Sequence, residues 1–238
     1  MEEWKQRTSL LLSEEMVARL QASRVLVVGV GGVGAYAAEM LVRAGVGRMT
    51  ILDSDSVAPS NINRQLVALH STIGLDKVEV LAARLCDINP QLELSARKCY
   101  LDVEGVDDLL QEGYDFVVDA IDTVAPKVAL LASCMQRGIA VVSSMGAGAR
   151  IDPSQIRYAD IADTFHCGLA RAVRTRLRKM RVKGKLPVVF STEVPCAEAV
   201  QEVTGERNKR TTVGTVSYMP AVFGCYLASY VIRKLTQQ

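Results

Sequence analysis

No two of the six cysteines, Cys86, Cys99, Cys134, Cys167, Cys196 and Cys225, have the C-x-x-C spacing. That absence argues against a zinc ribbon and a thioredoxin-type redox pair, so the thiols are expected to be separate and reduced in a cytoplasmic protein. Residues 1–24 lack a long apolar run and balance acids with bases, so neither a signal peptide nor an anchor is expected there. Internal repeats and low-complexity tracts are missing too. What is present is 238 residues with 49% hydrophobic and 23% charged side chains, enough apolar material for a sizeable core and too much for a disordered chain. One large domain, or one domain with an appendage, is expected.

The net charge of +2 hides an uneven distribution. Residues 1–150 carry a net −5 and residues 151–238 a net +7. An acidic first part and a basic second part suggest that one portion handles a small ligand while the other faces a polyanion.

Residues 14–20 read as a short helix, after which Val25-Leu26-Val27-Val28 is a β-branched run of the kind buried in a parallel sheet. Gly29-Val30-Gly31-Gly32-Val33-Gly34 follows, leading into a helix over 35–44 that stops at Gly45, and Met49 to Asp53 reads as the next strand. These pieces make one βαβ unit. The alternation continues with helices over 77–88, 106–112 and 127–137 and strands over 92–98, 116–120 and 140–144. Such alternation predicts a Rossmann-like α/β fold, a doubly wound and mainly parallel sheet. Beyond Ala149 the pattern loosens into a strand-like stretch over 151–158, a basic helix near 169–181, a strand over 188–191, a flexible-looking region over 193–210 and an apolar C-terminal helix. The 22 uncharged residues from Thr211 to Ile232 are long enough to cross a bilayer, but their Thr, Ser, Gly and Pro content favours a buried closing element, with Cys225 in the core. The division expected is a nucleotide-binding core over 1–150 and a basic C-terminal part of the same domain over 151–238.

Glycines between a strand and a helix let backbone N–H groups approach a phosphate closely, and Asp53, 19 residues after Gly34, is placed to hydrogen-bond a ribose. A nicotinamide-dependent dehydrogenase is the default owner of this fingerprint. The following segment argues otherwise: Asp53 to Gln65 packs carboxamides and Arg64 just beyond the nucleotide-binding edge, and Lys77 opens the next helix. Cations converging on a triphosphate suit transfer at phosphorus and have no obvious task in hydride transfer.

The series GVGGVG, LDSDSVAPSNINRQ, GLDKVEV, INP and DAIDTVAPK, running in order from Arg7 to about Ser144, resembles the adenylating enzymes related to ubiquitin-activating enzymes and to bacterial activators of sulfur-carrier proteins. The resemblance implies an enzyme that binds ATP and Mg²⁺, joins AMP to a carboxylate and works as a homodimer. Carried over by position, Gly29, Gly31, Gly32 and Gly34 form the phosphate loop and Asp53 holds the ribose. Asp55, Asn61, Arg64, Gln65 and Lys77 surround the nucleotide. Asp122 sits by the α-phosphate and organises the metal, and Arg7 is the arginine supplied to a neighbouring subunit's ATP.

Carrier activators usually have two C-x-x-C pairs, and ubiquitin-type activators have an inserted cysteine domain for which this chain has no room. The second half instead resembles a bacterial branch, the tRNA threonylcarbamoyladenosine dehydratases, through GAGARIDPSQI, KGKL, VFSTE and Phe223-Gly224. Independently, residues 164–192 hold Arg171, Arg174, Arg176, Arg178, Lys179, Arg181, Lys183 and Lys185 with no acid, and Arg207, Lys209 and Arg210 form a second cluster. Such a run neutralises phosphates and is expected to bind tRNA. The expected reaction is adenylation of the threonyl carboxylate followed by intramolecular ring closure, for which no protein thiol is required. Some relatives have a functionally important cysteine that residues 207–214 lack; Cys196 is a candidate substitute. An activator of a sulfur-carrier or ubiquitin-like protein, with a sulfurtransferase-system partner left open, is the alternative, and an RNA-binding module that retains the fold is a third reading.

Overall fold

The computed structural model describes residues 2–202 and 211–237. Two short helices, α1 (Gln6–Leu12) and α2 (Glu14–Ala22), precede β1 (Arg24–Val28). The chain then alternates through α3 (Gly34–Ala44), β2 (Arg48–Asp53), α4 (Lys77–Ile88), β3 (Glu93–Lys98), α5 (Gly105–Gln111), β4 (Phe116–Asp119), α6 (Val124–Arg137) and β5 (Val141–Ser144). After it come β6 (Ile156–Asp160), α7 (Gly168–Lys179), β7 (Pro187–Ser191), a small hairpin of β8 (Val200–Glu202) and β9 (Thr211–Val213), and α8 (Tyr218–Thr236). The main sheet runs β3-β2-β1-β4-β5-β7-β6, parallel except for β6, which pairs antiparallel with β7. The doubly wound fold anticipated from the alternation of β-branched runs and amphipathic segments is therefore the one formed.

Alternate side chains of the central strands feed two cores. Val25 and Val27 face a cluster with Leu41, Leu81, Phe223 and Leu227, whereas Leu26 and Val28 face one with Leu109, Leu131, Val173 and Leu177. Helices thus cover both faces, as an all-parallel centre requires. Helix α8 closes the first face against α3: Phe223 is fully buried, and Gly224 sits so near that a Cβ there would lie 2.5 Å from the Val33 carbonyl oxygen. None of the described helices is long and apolar enough to cross a membrane.

Three local expectations are corrected. The strand-like stretch over 151–158 forms as β6 over 156–160, because a turn at Pro153–Gln155, capped by the Asp152 carboxylate accepting the Ser154 N–H, comes first. Helix α6 begins at Val124 rather than 127, with Pro126 in its first turn, where its missing N–H leaves no bond unmade. Cys225 lies on the exposed side of α8 rather than in the core.

Candidate functional site

The site gathers at the carboxyl ends of β1, β2 and β4, where the sheet order reverses and an open α/β sheet offers a crevice. Each glycine of the loop after β1 has a separate geometric reason. Gly29 adopts φ +85°, a left-handed conformation that turns the chain out of the strand, and a Cβ there would meet the Ala120 carbonyl oxygen at 2.8 Å. Gly34 begins α3 against Gly29, and its Cβ would lie 1.7 Å from the Gly29 carbonyl oxygen. Gly31 has the opposite character: the nearest atom to a Cβ there is Gln65 Nε2, at 3.8 Å, so the protein itself leaves that backbone bare. Gly32 borders Pro220 at the start of α8, which brings the C-terminal helix to the loop.

Asp53 ends β2 facing this loop. Its Oδ2 accepts the Val30 N–H at 2.8 Å and its Oδ1 the Asp55 N–H at 2.9 Å. Burial pushes its carboxyl above the usual range, opposed by the Lys77 charge and by these two backbone donors. A carboxylate has roughly four lone-pair positions, so the two oxygens retain acceptor capacity for ribose hydroxyls. Lys77, buried at the first turn of α4, donates to Asp55 Oδ2 at 2.8 Å, while the Asp55 side chain is 64% exposed. Lysine held this way presents a desolvated charge at the crevice and can exchange an exposed carboxylate for a phosphate.

The segment between β2 and α4 is fixed by its own polar groups. Asn61 Oδ1 accepts the Ala58 N–H at 3.1 Å, and Arg64 Nη1 donates to the Ser60 carbonyl and to Asn63 Oδ1, both at 2.8 Å. Asn63 in turn donates to the Thr215 carbonyl at 2.9 Å, joining this segment to the approach to α8. Gln65 places its amide nitrogen beside Gly31, 3.8 Å from where a Cβ would stand, while its Oε1 is buried without a hydrogen-bond partner.

From β4, Asp119 is wholly buried and Asp122, three residues on, is exposed. Asp119 Oδ2 pairs with Lys127 Nζ at 2.7 Å, both side chains having no exposed surface, and accepts the Ser143 hydroxyl at 2.5 Å. Neither Lys127 nor Ser143 was expected in the site. The signal available in the sequence was a lysine one turn inside an apolar helix, shortly after the two acids.

The loop after β5 is anchored by Arg150, another unanticipated residue, buried to 4% exposure. Its guanidinium donates to the carbonyls of Gly146, Gly148, His166 and Glu193, tying this loop to the approach to α7. Cys196 N–H donates to the Ala149 carbonyl, and the exposed Cys196 thiol lies 3.2 Å from Glu198 Oε2.

The basic residues are not drawn into this crevice. Helix α7 starts beside Gly146, at the site's edge of the sheet, but Lys183 and Lys185 precede β7 and therefore lie toward the opposite edge. Arg171, Arg176, Arg178, Lys179, Arg181, Lys183 and Lys185 are exposed. Arg174 is half-buried instead, its Nη1 donating to the Ile161 and Thr164 carbonyls and to Thr164 Oγ1. Arg7 is exposed on α1, which packs against α2. Arg207, Lys209 and Arg210 lie outside the described residues.

The model of the ThiF family matches residues 5–238. The chain belongs to the ThiF family. It is 39% identical over 236 residues to the tRNA threonylcarbamoyladenosine dehydratase of Bacillus subtilis, spanning 96% of this chain and 93% of that one. The crystal structure of the Escherichia coli tRNA N6-threonylcarbamoyladenosine dehydratase in complex with ATP superposes with a TM-score of 0.89 at 35% identity, covering 99% of this chain and 96% of the other. The molybdopterin-synthase adenylyltransferase of Escherichia coli matches less of the chain, 39% identical over 150 residues, 62% of this chain and 59% of its own length.

Proposed function

We propose that the chain is an ATP-dependent tRNA threonylcarbamoyladenosine dehydratase. The observation that carries this reading is the crevice itself: a Gly31 backbone to which nothing comes closer than the Gln65 side chain, flanked by Asp53 and Lys77. The near full-length likeness to dehydratases, one of them an ATP complex, supports the choice of substrate over a carrier protein.

In this reading the loop N–H groups from Gly31 to Gly34 receive the phosphates at the start of α3, where unpaired amides and the helix dipole favour negative charge, while the N–H groups of Gly29 and Val30 stay with Leu52 and Asp53. Asp53 binds the ribose; Asp55, Asn61 and Gln65 line the nucleotide; Arg64 and Lys77 stabilise charge on the phosphates as the bond to pyrophosphate breaks. Arg64 leaves its bonds to Ser60 and Asn63 to do so. A threonyl carboxylate oxygen attacks the α-phosphorus and pyrophosphate departs, leaving an acyl-adenylate. The carbamoyl group of the same side chain then attacks the acyl carbon, losing its proton, and AMP leaves with the carboxylate oxygen. Attack from within one side chain has a high effective concentration, which removes the need for a protein nucleophile.

Magnesium fits the donor set. Mg²⁺ in nucleotide enzymes is held by one or two carboxylates together with phosphate oxygens and water, and an exposed carboxylate stands three residues beyond the end of β4. The exposed Asp122 would be that carboxylate, and the ion would offset phosphate charge. The exposed cations along α7 and the turn after it would grip tRNA phosphates, residues 1–150 serving ATP and 151–238 the nucleic acid. A homodimer in which Arg7 reaches the other subunit's ATP, and a cytoplasmic location, complete the proposal.

The test is pyrophosphate exchange into ATP. Exchange stimulated by tRNA bearing threonylcarbamoyladenosine is expected; exchange stimulated only by a carrier protein ending in Gly-Gly would replace this reading with the carrier-activating one.

A further inference from the structure

We propose that Lys127 is a positioning residue that holds Asp122 in register with the phosphate loop, an inference that rests on the role given above to Asp122. Lys127 Nζ makes two contacts: the ion pair with Asp119 Oδ2 at 2.7 Å and a hydrogen bond donated to the Ile121 carbonyl at 3.0 Å. Asp119 Oδ1 accepts the N–H of the same residue, Ile121, at 3.1 Å. The backbone of Ile121 is therefore gripped on both sides by one buried pair, and the next residue along is Asp122. Ser143 on the neighbouring strand donates to the same Asp119 carboxylate, so the grip is tied to the sheet.

Contact with the glycine loop extends this grip across the crevice. The Ala120 N–H donates to the Val28 carbonyl at 2.9 Å, and the Ala120 carbonyl lies against Gly29, so close that a Cβ there would approach it to 2.8 Å. Residues 120 and 121 thus touch the loop on one side and hang from Lys127 on the other, immediately before Asp122. A buried ion pair gives little net stability compared with apolar residues filling the same space, because both charges lose their hydration. What it supplies here, and an apolar pair would not, is direction: two hydrogen bonds that set the Ile121 backbone and with it the starting point of the Asp122 side chain.

The test compares four forms of the full chain: wild type, Lys127→Arg, the double variant Lys127→Met with Asp119→Asn, and Asp122→Asn. Removing both charges together avoids stranding either one in the core, so the double variant is expected to unfold thermally close to wild type. ATP affinity is measured by calorimetry with Mg²⁺ and with EDTA, and kcat and KM for ATP by pyrophosphate exchange with modified tRNA. The double variant should lose about 100-fold in kcat, the scale expected for a misplacement of about 1 Å, with KM for ATP changed far less. Its ATP affinity in EDTA should match wild type while the gain on adding Mg²⁺ shrinks, as it does in Asp122→Asn. Lys127→Arg, which can still donate to both oxygens, should recover most of the lost kcat. A double variant with wild-type kcat and wild-type response to Mg²⁺, beside an inactive Asp122→Asn, would overturn the positioning role alone. Wild-type behaviour of Asp122→Asn would overturn the site reading and this inference with it.

Discussion

Replacing Gly31 and Gly34 separately by alanine distinguishes a glycine needed by the fold from one needed by a ligand. At Gly31 the added methyl would meet only the Gln65 side chain, Nε2 at 3.8 Å and Cδ at 4.0 Å, ordinary contacts, and its φ lies outside the left-handed region. Stability should therefore stay within about 0.5 kcal/mol of wild type. If a phosphate packs on that backbone, the methyl occupies its space, an overpacking penalty of about 1–3 kcal/mol that falls on ATP affinity and corresponds to roughly 5- to 150-fold at 1.4 kcal/mol per tenfold. At Gly34 the methyl would lie 1.7 Å from the Gly29 carbonyl oxygen and 3.1 Å from Ala120 Cβ, so the start of α3 must retreat. A shift of roughly 1.5 Å is needed to restore normal contact, and a cost of about 3 kcal/mol or more should appear in stability as well as in binding. Thermal unfolding without nucleotide and calorimetric titration with ATP read the two quantities independently. Gly31→Ala binding ATP as wild type does, at unchanged stability, would refute the close approach of phosphate to this loop.

Three other outcomes follow from named interactions. Gly224→Ala places a methyl 2.5 Å from the Val33 carbonyl oxygen and 2.8 Å from Tyr36 Cβ, so it should destabilise the chain by about 1–3 kcal/mol in denaturant unfolding by prising α8 from α3. Neutralising Arg171, Arg176, Arg178 and Lys179 should weaken tRNA binding and lower the slope of log K against log salt by roughly 1 for each phosphate no longer neutralised, while Arg174→Ala should leave that slope unchanged and lower the thermal midpoint. Arg97 beside Glu112 holds its carboxyl below its ordinary value of 4.5, so the folded chain binds that proton more weakly than the unfolded chain. The resulting stability is complete above 4.5 and lost as pH falls through the lowered value; Glu112→Gln should flatten this acid limb in urea titrations across pH.

Local periodicity made much of this architecture legible. Strands such as Val25–Val28 and Phe116–Asp119 are short apolar runs that only a sheet covered on both faces accommodates, and glycines placed between strand and helix mark the site directly. What stayed hidden depends on partners distant in sequence. Lys127 reads as any lysine on a helix until Asp119 and Ser143 are seen around it, 8 and 16 residues away. Arg174 belongs to an unbroken basic run, and nothing local says that its side chain donates to Ile161 and Thr164. The local turn at Pro153–Gln155 sets the start of β6, but its continuation to Asp160 has the same distant origin, because an edge strand runs as far as its pairing with β7. Helix α1, with Leu10 and Leu11 exposed to 83% and 84%, lacks the buried stripe from which helices are read.

The central claim is tested most directly by mass spectrometry of nucleosides from tRNA incubated with the protein, ATP and Mg²⁺. The account predicts conversion of threonylcarbamoyladenosine to a species lighter by one water, dependent on ATP and lost in Arg64→Ala, Lys77→Ala and Asp122→Ala. Unchanged threonylcarbamoyladenosine after incubation with protein that binds ATP would contradict it.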